Sequence, residues 1–337
     1  MNRCGNDHED SRGFALVVVI LVLLISSFLA SQLILQVRTD LRIAANVQQR
    51  AVGRMLAEGG VNLALFRLLD KPGIDFEEKL DGAVFLPGHI YETVLTTGRM
   101  EYYAVNESGK IDLNSSPVVL VKKFLEYQGL AEEEVEILGD SLLDWRDNDD
   151  LHRLNGAEKS YYEGLDKSYI PRNGKIEDPA EFFLIRGTES LRGVFDPYEV
   201  FTVHNPRGKI NINHLSPGML AFLVDGDAAL IEKYREEQQL AVAGRLTMAR
   251  LRTIIGDGPY DALRGYLADS IVGPGLYSIV AHGYAGDFSL NSAEEQEKIA
   301  IETADNPRGR RPLTKVSVLV DTAKGEFQYL SWREQSG

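Results

Sequence analysis

Cysteine is nearly missing from this sequence. Cys4 is the single one in 337 residues, and it precedes the only long apolar run. A disulfide framework is therefore excluded, and an oxidising compartment would neither help nor harm the rest of the chain. The six histidines (His8, His89, His152, His204, His214 and His282) are scattered, with no HExxH pair of the kind that holds zinc. There is no Gly-x-Ser-x-Gly, no P-loop and no obvious nucleophile–base pair, so the sequence argues against an enzyme. An excess of positive charge is also missing: 36 Lys and Arg face 50 Asp and Glu, a net charge of −14. That balance speaks against a nucleic-acid surface and mildly for divalent cations. Otherwise the composition is that of a globular protein, 44% apolar and 26% charged, long enough for one large domain or two smaller ones.

What is present is one membrane-length stretch. Phe14 to Val37 runs without a charged side chain, and as a helix it would span about 36 Å, slightly more than a bilayer core of about 30 Å. A secretory signal would place its cleavage site after such a run. Here the processing signal, Arg12-Gly13-Phe14, comes before it. That order resembles a type IV prepilin leader, in which cleavage after Gly13 frees Phe14 as the new N-terminus. The alternative is a plain uncleaved anchor. Most pilins carry a glutamate five residues into the mature chain, where a neighbour's terminal amine pairs with it. That position here is Val18, and the pilin-like subunit known to lack the glutamate is the minor pseudopilin that caps the fibre. The leader holds Asp7, Glu9 and Asp10 as well as Arg3 and Arg12, and Arg38, Arg42 and Arg50 follow the apolar run. Charge therefore does not support an inside N-terminus, and orientation rests on the processing motif.

Beyond Val37 the apolar spacing stays helical. Leu41, Ala45, Val52, Met55, Leu56, Leu63 and Leu65-Phe66 recur near 3.6 residues until Pro72-Gly73. The spacing predicts one long helix, half in a membrane and half on a soluble domain, with Gly59-Gly60 letting a strand approach. Two short β-like runs follow, Tyr91–Leu95 and Met100–Val105. Then Gly109-Lys110-Ile111-Asp112-Leu113-Asn114-Ser115-Ser116-Pro117 is echoed by Gly208-Lys209-Ile210-Asn211-Ile212-Asn213-His214-Leu215-Ser216-Pro217. Each copy leads into an apolar helical run, Val118–Phe124 and Met219–Leu223, with Asn or Ser as cap and Pro near the first turn. This is either two well-capped helices or a duplicated small helical domain.

Between the copies, Glu132–Trp145 reads as a helix with Val135, Leu138, Leu142 and Trp145 on one face. It runs into the densest acidic cluster, Asp144-Trp145-Arg146-Asp147-Asn148-Asp149-Asp150, followed by Asn155-Gly156-Ala157-Glu158. Hard oxygen ligands at alternate positions with a returning carboxylate suit Ca²⁺, though Leu151 and His152 break the EF-hand pattern. The alternative is a solvated acidic loop. Glu181–Ile185 reads as a core helix. After about residue 272, Tyr277–Gly283, Lys315–Val320 and Glu326–Trp332 read as strands, the last two joined by a Lys324-Gly325 hairpin. A helix, two early strands and three late ones, with helix-rich residues between, indicate an α+β domain hosting an insertion.

At this point the chain resembles the type II secretion system minor pseudopilin K family. The matching pieces are Gly13-Phe14 without a glutamate at Val18, and Arg42, Asn46 and Gln49. To these add the acidic segment closing on Asn155-Gly156-Ala157-Glu158, the two Gly-Lys-Ile copies, and Leu330-Ser331-Trp332-Arg333-Glu334. They lie in family order along nearly the whole chain, which departs from the family's prolines at His152 and Leu154. The resemblance implies a pilin-like fold, a long N-terminal helix on a small antiparallel sheet, interrupted by a large α-domain of two SAM-like, helix-hairpin-like modules. It divides the chain into a leader (1–13), a transmembrane helix (14–37), the pilin-like domain (38–107 and 273–337) and the insertion (108–272, modules about 108–203 and 204–272). It implies one or two Ca²⁺ in the insertion, carried onto Asp147, Asp149 and Glu158 and also onto Asp144 and Asn155. It further implies cleavage and N-methylation at Gly13 and Phe14 by the prepilin peptidase, and a single-pass inner-membrane location with the C-terminal domain in the periplasm. The expected role is tip subunit of the secretion pseudopilus, initiating or capping fibre assembly for export of folded proteins. Its expected partners are the other minor pseudopilins, the major pseudopilin and the inner-membrane assembly platform, extending to secreted cargo or the outer-membrane secretin, with no nucleic acid. Two readings compete with this. One is the tip pilin of a type IV pilus-like or DNA-uptake machine, which an acidic chain without a Gly-x-Gly hairpin disfavours. The other is a membrane-anchored metal-dependent hydrolase.

Overall fold

The computed structural model describes residues 10–69, 85–241, 244–269, 275–286, 314–322 and 327–336. Helix α1 (Asp10–Leu69) is 60 residues long, about 90 Å at 1.5 Å per residue. It is continuous through Gly13-Phe14. From Leu16 to Gln48 every side chain is exposed. Among the described residues it is the one helix long and apolar enough to cross a membrane, with a mean hydropathy of 2.7 in its apolar window, and so it is a candidate membrane anchor. A helix suits such a stretch because it satisfies every backbone polar group within itself. The expected stop at Pro72-Gly73 lies outside the described residues.

Five antiparallel strands form the sheet on which α1 rests: β1 (Tyr91–Leu95), β2 (Gly98–Asn106), β7 (Leu276–Ala285), β8 (Thr314–Asp321) and β9 (Gln328–Ser336), in spatial order β1-β2-β7-β8-β9. The β1–β2 hairpin pairs Leu95 with Gly98 across Thr96-Thr97. β8 and β9 pair as expected, with a bulge near Leu319 and Val320; the Lys324-Gly325 turn lies outside the described residues. Val316, Val318 and Val320 alternate inward on β8 against Leu56, Ala57, Val61 and Ala64 of α1. The contact face of α1 is built on small residues. A Cβ on Gly60 would lie 3.0 Å from Ala281 Cβ, and one on Gly283 would lie 1.8 Å from the Gly53 carbonyl oxygen. Leu41, Met55 and Phe66, which the spacing assigns to the buried stripe, stay 63%, 71% and 53% exposed.

Between β2 and β7 the chain builds a helix-rich segment: β3 (Ile111–Asp112), α2 (Val118–Tyr127), α3 (Glu132–Arg146), α4 (Lys159–Glu163), α5 (Pro197–Val200), β4 (Phe201–Thr202), β5 (Ile210–Asn211), α6 (Pro217–Leu223), α7 (Ala228–Leu240), α8 (Met248–Ile255), α9 (Asp257–Leu263) and β6 (Leu267–Ala268). The two Gly-Lys-Ile copies become β3 and β5, each pairing in parallel with a later two-residue strand, β4 and β6. Their caps diverge. Ser216 accepts a hydrogen bond from Met219 N at 3.1 Å, as expected. Ser116 does not cap α2; its hydroxyl accepts from Asp112 N and donates to the Gly208 carbonyl, tying one copy to the other. The expected core helix at Glu181–Ile185 is instead a 3₁₀ turn, Pro179–Leu184, started by Pro179 and by Asp178 accepting from Ala180 N.

The sheet face opposite α1 is covered by this segment. Tyr103 donates to Glu199 at 2.9 Å, Lys315 pairs with Asp196 at 2.5 Å, and the Arg333 guanidinium lies 3.3 Å from the Tyr198 ring centroid. Where β2 passes into β3, a buried network joins sheet to insertion. Lys110 Nζ donates to Glu107 at 2.6 Å and to Ser278 Oγ on β7 at 2.8 Å, while Thr202 on β4 donates to the same carboxylate. Burial pushes the Glu107 carboxyl up, but the charge of Lys110 and the hydrogen bonds from Lys110, Ser278 and Thr202 outweigh it and hold it below its ordinary value. Lys110→Met strands a buried carboxylate and is expected to cost about 3–5 kcal/mol of stability in urea denaturation. A loss below about 1 kcal/mol would mean the pair is not what joins the two parts.

Candidate metal centre

The centre is assembled at the end of α3. Val135, Leu138, Leu142 and Trp145 bury one face of that helix, and this fixes the phase of the acidic residues that follow. Asp144 falls on the buried side, fully enclosed. Asp147 leaves the helix in extended conformation as its C-cap. The loop then returns through Asn155-Gly156-Ala157 to Glu158, which precedes α4 and is buried.

The structure brings three of the five expected ligands together. Asp147, Asp149 and Glu158 offer carboxylate oxygens that all lie within 4.8 Å of one another. Both oxygens of Glu158 and Oδ1 of Asp147 are buried and make no hydrogen bond within the chain. Burial raises the Glu158 carboxyl to about 7, with Asp144, Asp147, Asp150 and Asp149 adding to the rise in that order. The other two expected ligands are engaged elsewhere. Asp144 accepts from the Arg153 backbone N–H at 3.1 Å and is ion-paired with the Arg153 guanidinium. Asn155 directs its backbone N–H and its side-chain Nδ2 to Asp140 Oδ2, at 3.2 and 3.3 Å.

Two roles were not visible in the acidic spacing. Arg153 bridges Asp144 and Asp147, the latter at 2.7 Å, so one guanidinium offsets part of the cluster's charge. Nothing in the sequence pattern singles it out, because it lies in a loop without periodicity. Gly156 is the second. A Cβ there would fall 1.8 Å from Asp144 Oδ2, so the glycine in Asn-Gly-Ala-Glu is needed for the returning loop to pass the carboxylate. Leu151 and Leu154, by contrast, are spacers, 78% and 93% exposed.

Residues 103–192, which contain the whole cluster, match the family model for type II secretion system (T2SS) protein K. The chain is similar to a type II secretion system protein K of Klebsiella pneumoniae, 26% identical over 255 residues, covering 71% of this chain and 78% of the relative. It is also similar to the protein K of Aeromonas hydrophila, 32% identical over 110 residues, about a third of each chain. Among solved structures, a chain in the crystal structure of the GspK-GspI-GspJ complex from enterotoxigenic Escherichia coli aligns with 90% of this chain and 99% of its own length, at a TM-score of 0.48 and 15% identity. The family model spans the acidic helix end and the Asn-Gly-Ala-Glu return, the Klebsiella relative carries the likeness along 71% of the chain, and the long helix on an antiparallel sheet is the architecture the sequence predicts: the chain is similar to the type II secretion system protein K family.

Proposed function

We propose that this minor pseudopilin occupies the tip of the type II secretion pseudopilus, where it initiates or caps the fibre and plays no catalytic part. The observation that carries the reading is the place of the insertion. The sheet carries α1 on one side and the helix-rich segment on the other, and this added bulk supports a subunit on which no sister subunit docks from above. The apolar part of α1 anchors the chain in the inner membrane and then packs with the helices of other pseudopilins, major and minor, on the assembly platform. The domain beyond it stands in the periplasm, within reach of cargo and the secretin. Cleavage after Gly13 by the prepilin peptidase, with methylation of Phe14, releases it into the fibre.

The insertion, about 108–272, is read as two SAM-like, helix-hairpin-like modules, each closed by its parallel strand pair, β3–β4 and β5–β6. Asp147, Asp149 and Glu158 hold a calcium ion, with Asp144 and Asn155 shaping the loop around it. The donor set fits. It is all carboxylate oxygen, and the orphaned oxygens of Glu158 and Asp147 are the groups that a hard cation would satisfy. Calcium here supplies rigidity to the loop rather than chemistry.

The test is a clean deletion in the source bacterium, scored for secreted proteins and for DNA uptake. The expected result is that secreted proteins are retained in the periplasm while transformation is unchanged. Normal secretion with failed uptake or motility would assign the same architecture to a pilus-like machine.

A further inference from the structure

The acidic loop from Asp147 to Glu158 contains no proline, so its own chain does little to stiffen it. Three carboxylates converge there. Calcium takes six to eight oxygens, and three carboxylates reach only the lower end of that range even when each binds through both of its oxygens. Further oxygens have to come from elsewhere.

The structure offers one from outside the acidic segment. Asn173 follows Tyr169-Ile170-Pro171-Arg172, well beyond Glu158 in the chain. Its backbone is left-handed, with a φ of +44°. Asparagine tolerates that conformation better than most residues, and the surroundings must still offset its cost. One end of the side-chain amide leans on the acidic loop. Nδ2 donates to the Asp149 carbonyl at 3.2 Å and to Asp150 Oδ1 at 3.0 Å. The next residue, Gly174, donates its N–H to the Trp145 carbonyl at the end of α3, at 3.4 Å.

The other end of the amide is left open. Asn173 Oδ1 is buried and has no hydrogen-bond partner. The oxygen and nitrogen of an amide are no more than about 2.6 Å apart, so this oxygen lies within about 6 Å of both the Asp149 carbonyl and the Asp150 carboxylate. A buried acceptor is costly unless something satisfies it. The chain offers Oδ1 no donor, and the groups its own amide touches are themselves acceptors. Glu158 is in the same position: it is 4% exposed, and neither of its oxygens is bonded.

We propose that Asn173 Oδ1 is a ligand of the calcium ion, supplied by a part of the chain separate from the acidic segment. This rests on the calcium reading above and adds to it a neutral oxygen that the spacing of carboxylates does not reveal. Nδ2 fixes the amide against the loop, and the opposite oxygen is the end that meets the ion.

The experiment titrates Ca²⁺ calorimetrically into the metal-free full-length chain in detergent at pH 8, for the wild type, Asn173→Gly and Asn173→Asp. Glycine removes the side chain and keeps the left-handed backbone free of strain. Aspartate keeps an oxygen and loses the amide donor. Asn173→Gly is expected to lower the affinity about tenfold, and Asn173→Asp to keep or raise it. Terbium in place of calcium reads the ligands directly, because its luminescence lifetimes in H₂O and D₂O count the waters bound to the ion. Asn173→Gly is expected to bind about one water more than the wild type, and Asn173→Asp the same number. An unchanged water count in Asn173→Gly would mean that the amide acts only through Nδ2, and the ligand assignment is overturned. An affinity that falls as far with aspartate as with glycine overturns it as well. If the glycine variant does not fold, aspartate alone decides between these results. No heat of binding with the wild type would end the calcium reading itself and the proposal with it. Heat with the wild type and no change in Asn173→Gly would end the proposal alone.

Discussion

Glu158→Gln is expected to stabilise the protein without calcium and to destabilise it with calcium. In the metal-free chain the Glu158 carboxyl is buried beside four aspartates and raised to about 7, so at pH 8 folding forces a charge into an unfavourable place. Replacing it with a neutral isostere removes a penalty of about 1–3 kcal/mol. The direction of the pH dependence follows. Between about 4.5 and 7 the folded state holds a proton that the unfolded state has lost, so the stability of the metal-free protein falls as pH rises through that window. Calcium reverses the sign, because the ion takes the carboxylate form. Its affinity is expected to climb about tenfold per pH unit up to about 7 and then level, with one proton released per ion bound below that point. At a thousandfold excess over its dissociation constant, calcium is expected to add about 4 kcal/mol to the stability of the wild type and almost nothing to the variant. Thermal unfolding of residues 38–337 in chelator and in calcium chloride, with calorimetric titration at pH 6, 7 and 8, measures all of these. If titration of metal-free protein gives no heat of binding, the calcium assignment is wrong. If the variant loses stability equally in both buffers, Glu158 is a packing residue.

Gly283→Ala is expected to detach α1 from the sheet. Its Cβ would lie 1.8 Å from the Gly53 carbonyl oxygen and 2.9 Å from Ala57 N, both backbone atoms of the helix. Backbone cannot swing aside as a side chain can, so the helix must lift over β7, opening the packing of Leu56, Ala57, Gly60 and Val61. Overpacking of this kind costs about 3 kcal/mol or more. Gly60→Ala meets the Ala281 methyl at 3.0 Å and Tyr102 Cβ at 3.3 Å, a tighter fit than normal but against side chains, and is expected to cost less. Chemical denaturation should rank the two in that order, and limited proteolysis should cut α1 earlier in the Gly283 variant. Equal and small effects would mean that the helix already rides higher over the sheet.

These two sites also separate what the sequence determined from what the tertiary structure decided. The membrane-length helix, the five strands of the sheet and the helical face of α3 follow from local pattern. Charge-free length, period-two alternation and 3.6-residue spacing are properties of the chain alone, and the structure places Tyr91–Leu95 as a strand and buries Val135, Leu138, Leu142 and Trp145 as that spacing predicts. The acidic cluster was likewise legible as a concentration of carboxylates by residue type. The partition within it was not. That Asp144 is held by Arg153 and Asn155 by Asp140, leaving Asp147, Asp149 and Glu158 to converge, depends on how a loop without periodicity folds back across the end of α3. The same holds for α1. The spacing pointed to Leu56 and Leu65, which are buried with Val52 and Leu63 against them, and also to Met55 and Phe66, which face outward; the closest approach of helix and sheet is at Gly53, Ala57 and Gly60, because that distance is set by the smallest residues that face each other. Ser116 was legible as a cap and became a tie between the two Gly-Lys-Ile copies. Sequence spacing reports which face of an element is apolar, whereas the partner that each polar group finds is decided only when distant segments meet.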